Sequence, residues 1–264
     1  MTSRTRLRRV SQADHDPALY GSSFADVYDN WYPPGDTGAL LECIAAFTPP
    51  GGRVLELGVG TGRLALPLAD AGYRVVGMDS SVEMLDVLRA KDPESSVEVV
   101  LADAGDPATW PAELLRGDHD CILAACNLML NLSSHDQQRS CVEACAGALR
   151  RGGVLVVELD DLEPPAERGE GFALSTALGS DPVVVSTEYD PESGSVLGHH
   201  IELHPDGGSR VRPWRVHPVG TDEVTRWCED GGLAHVATLP GFPDPGAAPG
   251  TPRTVTVHRR PTGT

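Results

Sequence analysis

A doubly wound α/β sheet carrying an inserted antiparallel meander is the fold this sequence predicts. From Arg53 to Leu159, short apolar runs of strand length alternate with segments of helical spacing, the pattern of βαβ units on a parallel sheet. At the first crossover a strand runs directly into the glycine turn Gly58-Val59-Gly60-Thr61-Gly62. Beyond Leu159 the rhythm changes to period-two alternation, with turn residues between the runs, which indicates antiparallel strands.

The elements follow in order. Ala18–Tyr32 is rich in aromatic residues and stops at Pro33-Pro34-Gly35, so a short helix is expected there. Thr37–Phe47 has helical spacing and ends at Pro49-Pro50-Gly51-Gly52. Strands are expected at Arg53–Leu57, Arg74–Met78, Val97–Leu101, Cys121–Ala125 and Val154–Leu159. Between them lie helices at Thr61–Ala71, Val82–Ala90, weakly at Ala108–Leu115, and at His135–Arg150. Asp160–Asp181 reads as loop, and Val183–Tyr189, Gly194–Leu203 and Ser209–Val219 as the meander. Thr221–Gly232 reads as a helix with Thr221 as its N-cap, and Val236–Leu239 and Thr254–His258 as closing strands. The expected organisation is a disordered arm over 1–17, a lid helix with the α/β core over 18–160, an insertion over 161–220, and a return to the core sheet over 221–264.

Bulk composition narrows the function. The net charge of −17 disfavours a nucleic-acid partner, because phosphate binding needs a concentrated basic surface, and only Arg210, Arg212 and Arg215 cluster loosely outside the first residues. No apolar run approaches the roughly 18–20 residues that cross a bilayer. No apolar stretch of signal-peptide type follows the basic start, and none of the six cysteines forms a CxxC pair. A cytoplasmic location without a membrane partner is therefore expected. Cys141 and Cys145 lie one helical turn apart, but they lack partner ligands and are expected to pack as small hydrophobes, with no metal bound.

The chemistry centres on Val54-Leu55-Glu56-Leu57-Gly58-Val59-Gly60-Thr61-Gly62. Glycines there allow unusual backbone angles and close approach of a ligand. Asp79 ends the second strand, where a carboxylate can bridge two ribose hydroxyls, and Asp103 follows the third, where it can accept from an adenine amino group. Each falls at the C-terminal end of its strand, the edge on which doubly wound sheets bind ligands.

VLELGVGTGRLALPLA, VVGMDSSVEML, LADAGD and LRRGGVLVVE resemble successive motifs of class I S-adenosylmethionine-dependent methyltransferases, over roughly residues 50–160. The resemblance implies a Rossmann-like core with S-adenosylmethionine as cofactor. It places Glu56, Gly58, Gly60 and Gly62 around the methionine portion, Asp79 with Ser80 at the ribose, and Asp103 with Ala104 at the adenine. Cys126 and Asn127 would approach the methionine amino group and sulfur. Phe24–Tyr32 is similar to the lid of small-molecule enzymes, including amino-sugar N-methyltransferases of antibiotic pathways, which also insert antiparallel strands after the fifth core strand.

The acceptor is expected to be an amine or hydroxyl of a small metabolite. Tyr28 and Tyr32 share a helix face, Tyr28 being expected over the cofactor and Tyr32 at the acceptor. Met129, Asn131 and Arg215 are expected to line the acceptor pocket. A base would come from His200 or His217, with His199 and His135 as further candidates; alternation puts His199 and His200 on opposite strand faces. Asp160-Asp161 reads as solvated loop acids rather than a metal site. A nicotinamide-dependent dehydrogenase is disfavoured: the turn is GxGxG rather than GxGxxG, and the single lysine, Lys91, has Val87 and no tyrosine four residues before it. A non-catalytic cofactor-binding subunit and a homo-oligomer both stay open on sequence alone.

Overall fold

The computed structural model describes residues 16–33, 35, 37–160, 169–175, 181–243 and 252–263, with the backbone alone for 169–175. Most of the expected arm, residues 1–15, lies outside the described residues, as does Asp161.

Seven strands form the main sheet: β1 (Arg53–Leu57), β2 (Arg74–Asp79), β3 (Val97–Leu101), β4 (His119–Ala124), β5 (Leu149–Asp160), β10 (Ala234–Pro240) and β11 (Arg253–Arg259). Their order is β10-β11-β5-β4-β1-β2-β3. β1 to β5 pair in parallel, while β11 is antiparallel to both β5 and β10. Alternate residues of the central strands enter two separate cores, which is why those strands read as continuous apolar runs. Leu55, Leu57, Ile122 and Leu155 pack on one face against α7 (His135–Ala148) and α8 (Thr221–Asp230). Val54, Leu123, Val154 and Val156 pack on the other against α3 (Gly38–Phe47), α4 (Ala65–Asp70) and α5 (Val82–Lys91). Cys141, Cys145 and Cys228 sit in the first of these cores.

The insertion is a separate four-stranded antiparallel sheet, β6 (Gly169–Ser175), β7 (Val183–Asp190), β8 (Ser195–Leu203) and β9 (Ser209–Val216), paired in that order. β6 corrects the loop expected over 160–181: the strand forms by pairing with β7 from Gly169↔Tyr189 to Ser175↔Val183. The aromatic N-terminal segment is two short helices, α1 (Leu19–Phe24) and α2 (Tyr28–Trp31), rather than one. The helix expected from Thr61 begins only at Ala65, because Gly62 has φ +84°. Pro107–Thr109 forms a single 3₁₀ turn in place of the weak helix at 108–115. A short helix, α6 (Leu128–Asn131), lies between β4 and α7. Gly220 is the N-cap of α8, so Thr221 is its first helical residue and not its cap.

Candidate active site

The C-terminal ends of β1, β2, β3 and β4 open into a cleft with about 760 Å³ of empty space, counting its open mouth. Gly58 and Gly60 of the glycine turn line it, whereas Gly62, expected beside them, faces Leu66 and Leu88. Gly58, Gly60 and Gly62 have φ of +64°, +55° and +84°, which side-chain-bearing residues rarely adopt. The Gly60 N–H donates to Asp79 Oδ2 at 2.8 Å, and the Ser81 N–H donates to Asp79 Oδ1 at 2.8 Å. Desolvation raises the Asp79 carboxyl, although backbone N–H groups of Ser81, Gly60 and Ser80 favour its charged form. Ser80 also lines the cleft, and its hydroxyl donates to the Pro17 carbonyl at 2.9 Å. Residues 16 and 17 are thus drawn into the structure, where the sequence places the end of a free arm.

Further along the cleft, Ala102, Asp103 and Ala104 follow β3, facing Gln137 of α7. Asp103 Oδ1 accepts from the Gly105 N–H at 2.8 Å, and the Asp103 carbonyl accepts from Trp110 Nε1 at 2.9 Å, so the loop after β3 is held by its own acid and a buried tryptophan.

Beneath the glycine turn lies Glu56, 4% exposed, with no hydrogen-bond partner for Oε2. Burial pushes its carboxyl up to about 8; the nearby Arg63 opposes that shift and Asp79 adds to it. Arg63 reaches Cys126 Sγ at 2.7 Å and lies 5.9 Å from the Tyr28 ring centre. Cys126 and Asn127 both have left-handed backbones, φ +54° and +61°. The Cys126 N–H donates to Glu158 Oε2 at 3.0 Å, which turns this residue onto the cleft wall. Asn127 behaves differently from the expectation: its side chain donates to Asp160 Oδ2 at 2.7 Å and accepts from the Asp160 N–H at 2.7 Å, toward the end of β5. Asp160 is correspondingly no solvated loop acid; it ends β5, 14% exposed, and pairs with Arg253 at 2.6 Å.

α1 and α2 supply one wall of the cleft. Tyr20, Gly21 and Tyr28 line it. Tyr28 and Tyr32 have ring centres 5.1 Å apart, Tyr20 and Tyr28 6.4 Å apart, and Tyr20 shares a side-chain hydrogen bond with Tyr32. A Cβ on Gly21 would collide with Ser81, so only glycine lets α1 lie this close to the start of α5. Thr61 Oγ1 donates to Asp29 Oδ1 at 2.6 Å, and Lys91 pairs with Asp29 Oδ2 at 2.8 Å, which ties α2 to the turn and to α5.

Among the expected acceptor residues, Asn131 lines the cleft, its Nδ2 donating to the Asn127 carbonyl at 3.1 Å. Met129 is 1% exposed, in the core, and is not among the residues that line the cleft. His200 does not reach the cleft. It is enclosed by Phe24, Trp31 and Trp214, accepts from Trp214 Nε1 at 2.8 Å through Nδ1, and burial holds it down at about 4. Arg215 and His217 face a second cavity, beyond the segment that walls the cleft. Sequence reasoning missed Tyr20, Arg63, Leu128 and Gln137; the aromatic run around Tyr20 was the available signal for the first of them.

The cofactor that the resemblance implies fits these residues: the positive-φ turn leaves room above Gly60, Asp79 and Asp103 offer carboxylates at two points, and Glu56 Oε2 is a buried polar atom lacking a partner. The methyltransferase domain family matches residues 54–153. The cypemycin N-terminal methyltransferase of a Streptomyces species is 29% identical over 190 residues, 69% of this chain and 73% of that protein. The ubiquinone biosynthesis O-methyltransferase of Xanthomonas campestris pv. campestris is 31% identical over 184 residues, 63% of this chain and 69% of that protein. In three dimensions the chain is similar to the CcbJ methyltransferase from Streptomyces caelestis, with a TM-score of 0.77 at 29% identity, covering 94% of this chain and all of that one. With a glycine turn, two strand-end acids and a seven-stranded sheet in this order, the chain belongs to the class I S-adenosylmethionine-dependent methyltransferases.

Proposed function

We propose that this enzyme methylates an amine of a small metabolite, with the acceptor entering between Tyr20, Tyr28 and Asn131. In this reading residues 18–160 hold the cofactor, 161–220 brace the lid and acceptor side, and 221–264 complete the core sheet. Glu56, Gly58, Gly60 and Cys126 surround the methionine portion, Asp79 and Ser80 hold the ribose, and Asp103 and Ala104 flank the adenine. S-adenosylmethionine when bound supplies an electrophilic methyl group on a sulfonium. The protein's own part is then to exclude water and align the nucleophile.

One observation carries the preference for an amine: the polar groups at the lid end of the cleft are two phenols and an amide, from Tyr20, Tyr28 and Asn131. Desolvation, with Tyr32 and Tyr28 nearby, raises the Tyr20 phenol well above its ordinary range, so it serves as a hydrogen-bonding group and not as a base. A neutral amine needs positioning alone, whereas a hydroxyl needs a base to take its proton as the bond forms. One relative is named an N-terminal methyltransferase and another an O-methyltransferase, which makes the acceptor atom the point to test. Incubation with labelled S-adenosylmethionine and matched panels of small amines and alcohols tests it. Turnover of amines, rising with pH as their free-base fraction grows, is expected. Turnover confined to alcohols would overturn the proposal.

A further inference from the structure

A second cavity, with about 900 Å³ of empty space counting its open mouth, lies between the start of α7, the β7–β8 turn and the end of β9. One segment divides it from the cofactor cleft, turning Asn131, Leu132 and Gln137 to the cleft and Ser133, Ser134 and Asp136 to the cavity. Gln137 Oε1 accepts from both the N–H and the hydroxyl of Ser133, so the dividing wall is fixed by its own side chains. Across the cavity stand Arg215 and His217.

Arg215 is the informative residue. Its neighbours on β9, Arg210 and Arg212, are each paired with Asp26. Among the described residues no carboxylate pairs with Arg215, although the chain carries 38 acidic residues against 21 lysines and arginines. In so acidic a protein an arginine facing a cavity without a carboxylate partner is a binding group in waiting, because its planar fork of donors matches an oxyanion. The surrounding groups are held in place. The His217 N–H donates to the Leu130 carbonyl at 2.7 Å, and its carbonyl accepts from Gln138 at 2.8 Å. Ser134 Oγ accepts from the Gln137 N–H at 3.2 Å, which leaves its own proton to donate. Asp136 is exposed at the rim and can accept from hydroxyls of a ligand, but it makes no ion pair with Arg215.

We propose that this cavity is an oxyanion subsite, in which Arg215 with the Ser134 hydroxyl grips a carboxylate or phosphate of a small, hydroxyl-bearing molecule. That this molecule is the methyl acceptor, with its anionic end here and its nucleophile at the cleft, rests on the function proposed above. The subsite itself does not.

The test is a titration of the full chain with inorganic phosphate, and separately with acetate, at constant ionic strength. Histidine ring ¹H–¹⁵N signals report occupancy through His217 and His135. A saturating shift is expected, weakened at least tenfold in Arg215→Gln, partly kept in Arg215→Lys, and unchanged in the surface control Arg139→Gln. The better of the two anions identifies the source as phosphate or carboxylate. A shift that stays linear with concentration, or one that Arg215→Gln leaves intact, overturns the subsite. Calorimetry with S-adenosylhomocysteine on the same samples separates the two readings. Loss of that binding in the unmodified protein would sink the methyltransfer reading alone, whereas a linear anion response beside intact cofactor binding would sink only the subsite.

Discussion

Replacing Arg212 by methionine should destabilise the protein and loosen the lid together. Arg212 is 2% exposed and is the point at which the inserted sheet grips the N-terminal helices. Its guanidinium donates to the Ser23 carbonyl, to Asp26 Oδ1 at 2.6 Å and Oδ2 at 3.1 Å, and to Glu202, while its plane lies 5.5 Å from the Trp31 ring centre. Removing one partner of a buried pair costs about 3–5 kcal/mol, because a charge is left without compensation. Glu202, 11% exposed, bears that penalty; Asp26, 47% exposed, is rescued by water and adds little. The expected loss is therefore near the low end, about 3 kcal/mol, or about 6–12 °C in melting temperature for a chain of this size. Binding of S-adenosylhomocysteine should weaken as well, since Tyr20 and Gly21 line the cleft on the helix that Arg212 anchors through Ser23. The double variant Arg212→Met/Glu202→Met should recover much of the melting temperature, because no buried charge remains unpaired, while the lid stays loose. Circular dichroism melting and calorimetry measure the two effects. A single variant that melts within about 2 °C of the parent, less than 1 kcal/mol, would refute the reasoning.

Three further outcomes follow from the site. Asp79→Ala, and separately Gly60→Val, should each weaken S-adenosylhomocysteine binding at least tenfold by calorimetry, the first by removing the acid that orders the turn and the second by forcing a branched side chain onto φ +55°. Glu56, held up at about 8 by burial, keeps its proton in the folded state through the window from its ordinary value near 4.5, where the unfolded chain ionises, so its contribution falls as pH rises from about 4.5 to about 8. Glu56→Gln should accordingly melt closer to the parent at pH 5 and above it at pH 8; equal differences at both would count against a buried, protonated Glu56. His200→Ala should lower stability by about 1–3 kcal/mol, through the lost acceptor for Trp214, and leave the pH–rate profile in place. Disappearance of a limb of that profile would restore His200 as a base.

The cofactor half of this protein is written locally, and that is why it was legible. β1 at Arg53–Leu57 and β3 at Val97–Leu101 have the bounds the sequence predicts, since turn residues bracket each apolar run. Asp79 could be placed because strand-end position follows from the same runs. Reading became harder wherever a partner lay far along the chain. Thr61 looks like the start of a helix, but Gly62 delays it to Ala65, and the Thr61 hydroxyl goes to Asp29, 32 residues away. Asn127 looks like a cleft residue until Asp160, 33 residues on, turns it aside. β6 owes its existence to β7, and no local pattern in its glycine-containing run announces it.

The contacts of the insertion depend on separations larger still. Arg212 meets Asp26 across 186 positions, and His200 reaches the Phe24 and Trp31 rings only because β8 and β9 lie on α1 and α2. Period-two alternation correctly put His199 and His200 on opposite faces, but it could not say which face meets the lid, and so it offered His200 as a base. The packing that makes His200 a hydrogen-bond acceptor within an aromatic cluster also buries the Arg212 clamp. Lid position is thereby set by the insertion, through a few charged and aromatic contacts on one sheet face. The opposite course of β9 carries Arg215 to the second cavity. Under the function proposed above, one face of the inserted sheet can vary with the acceptor while the other keeps its grip on α1 and α2, with the glycine turn and its acids untouched.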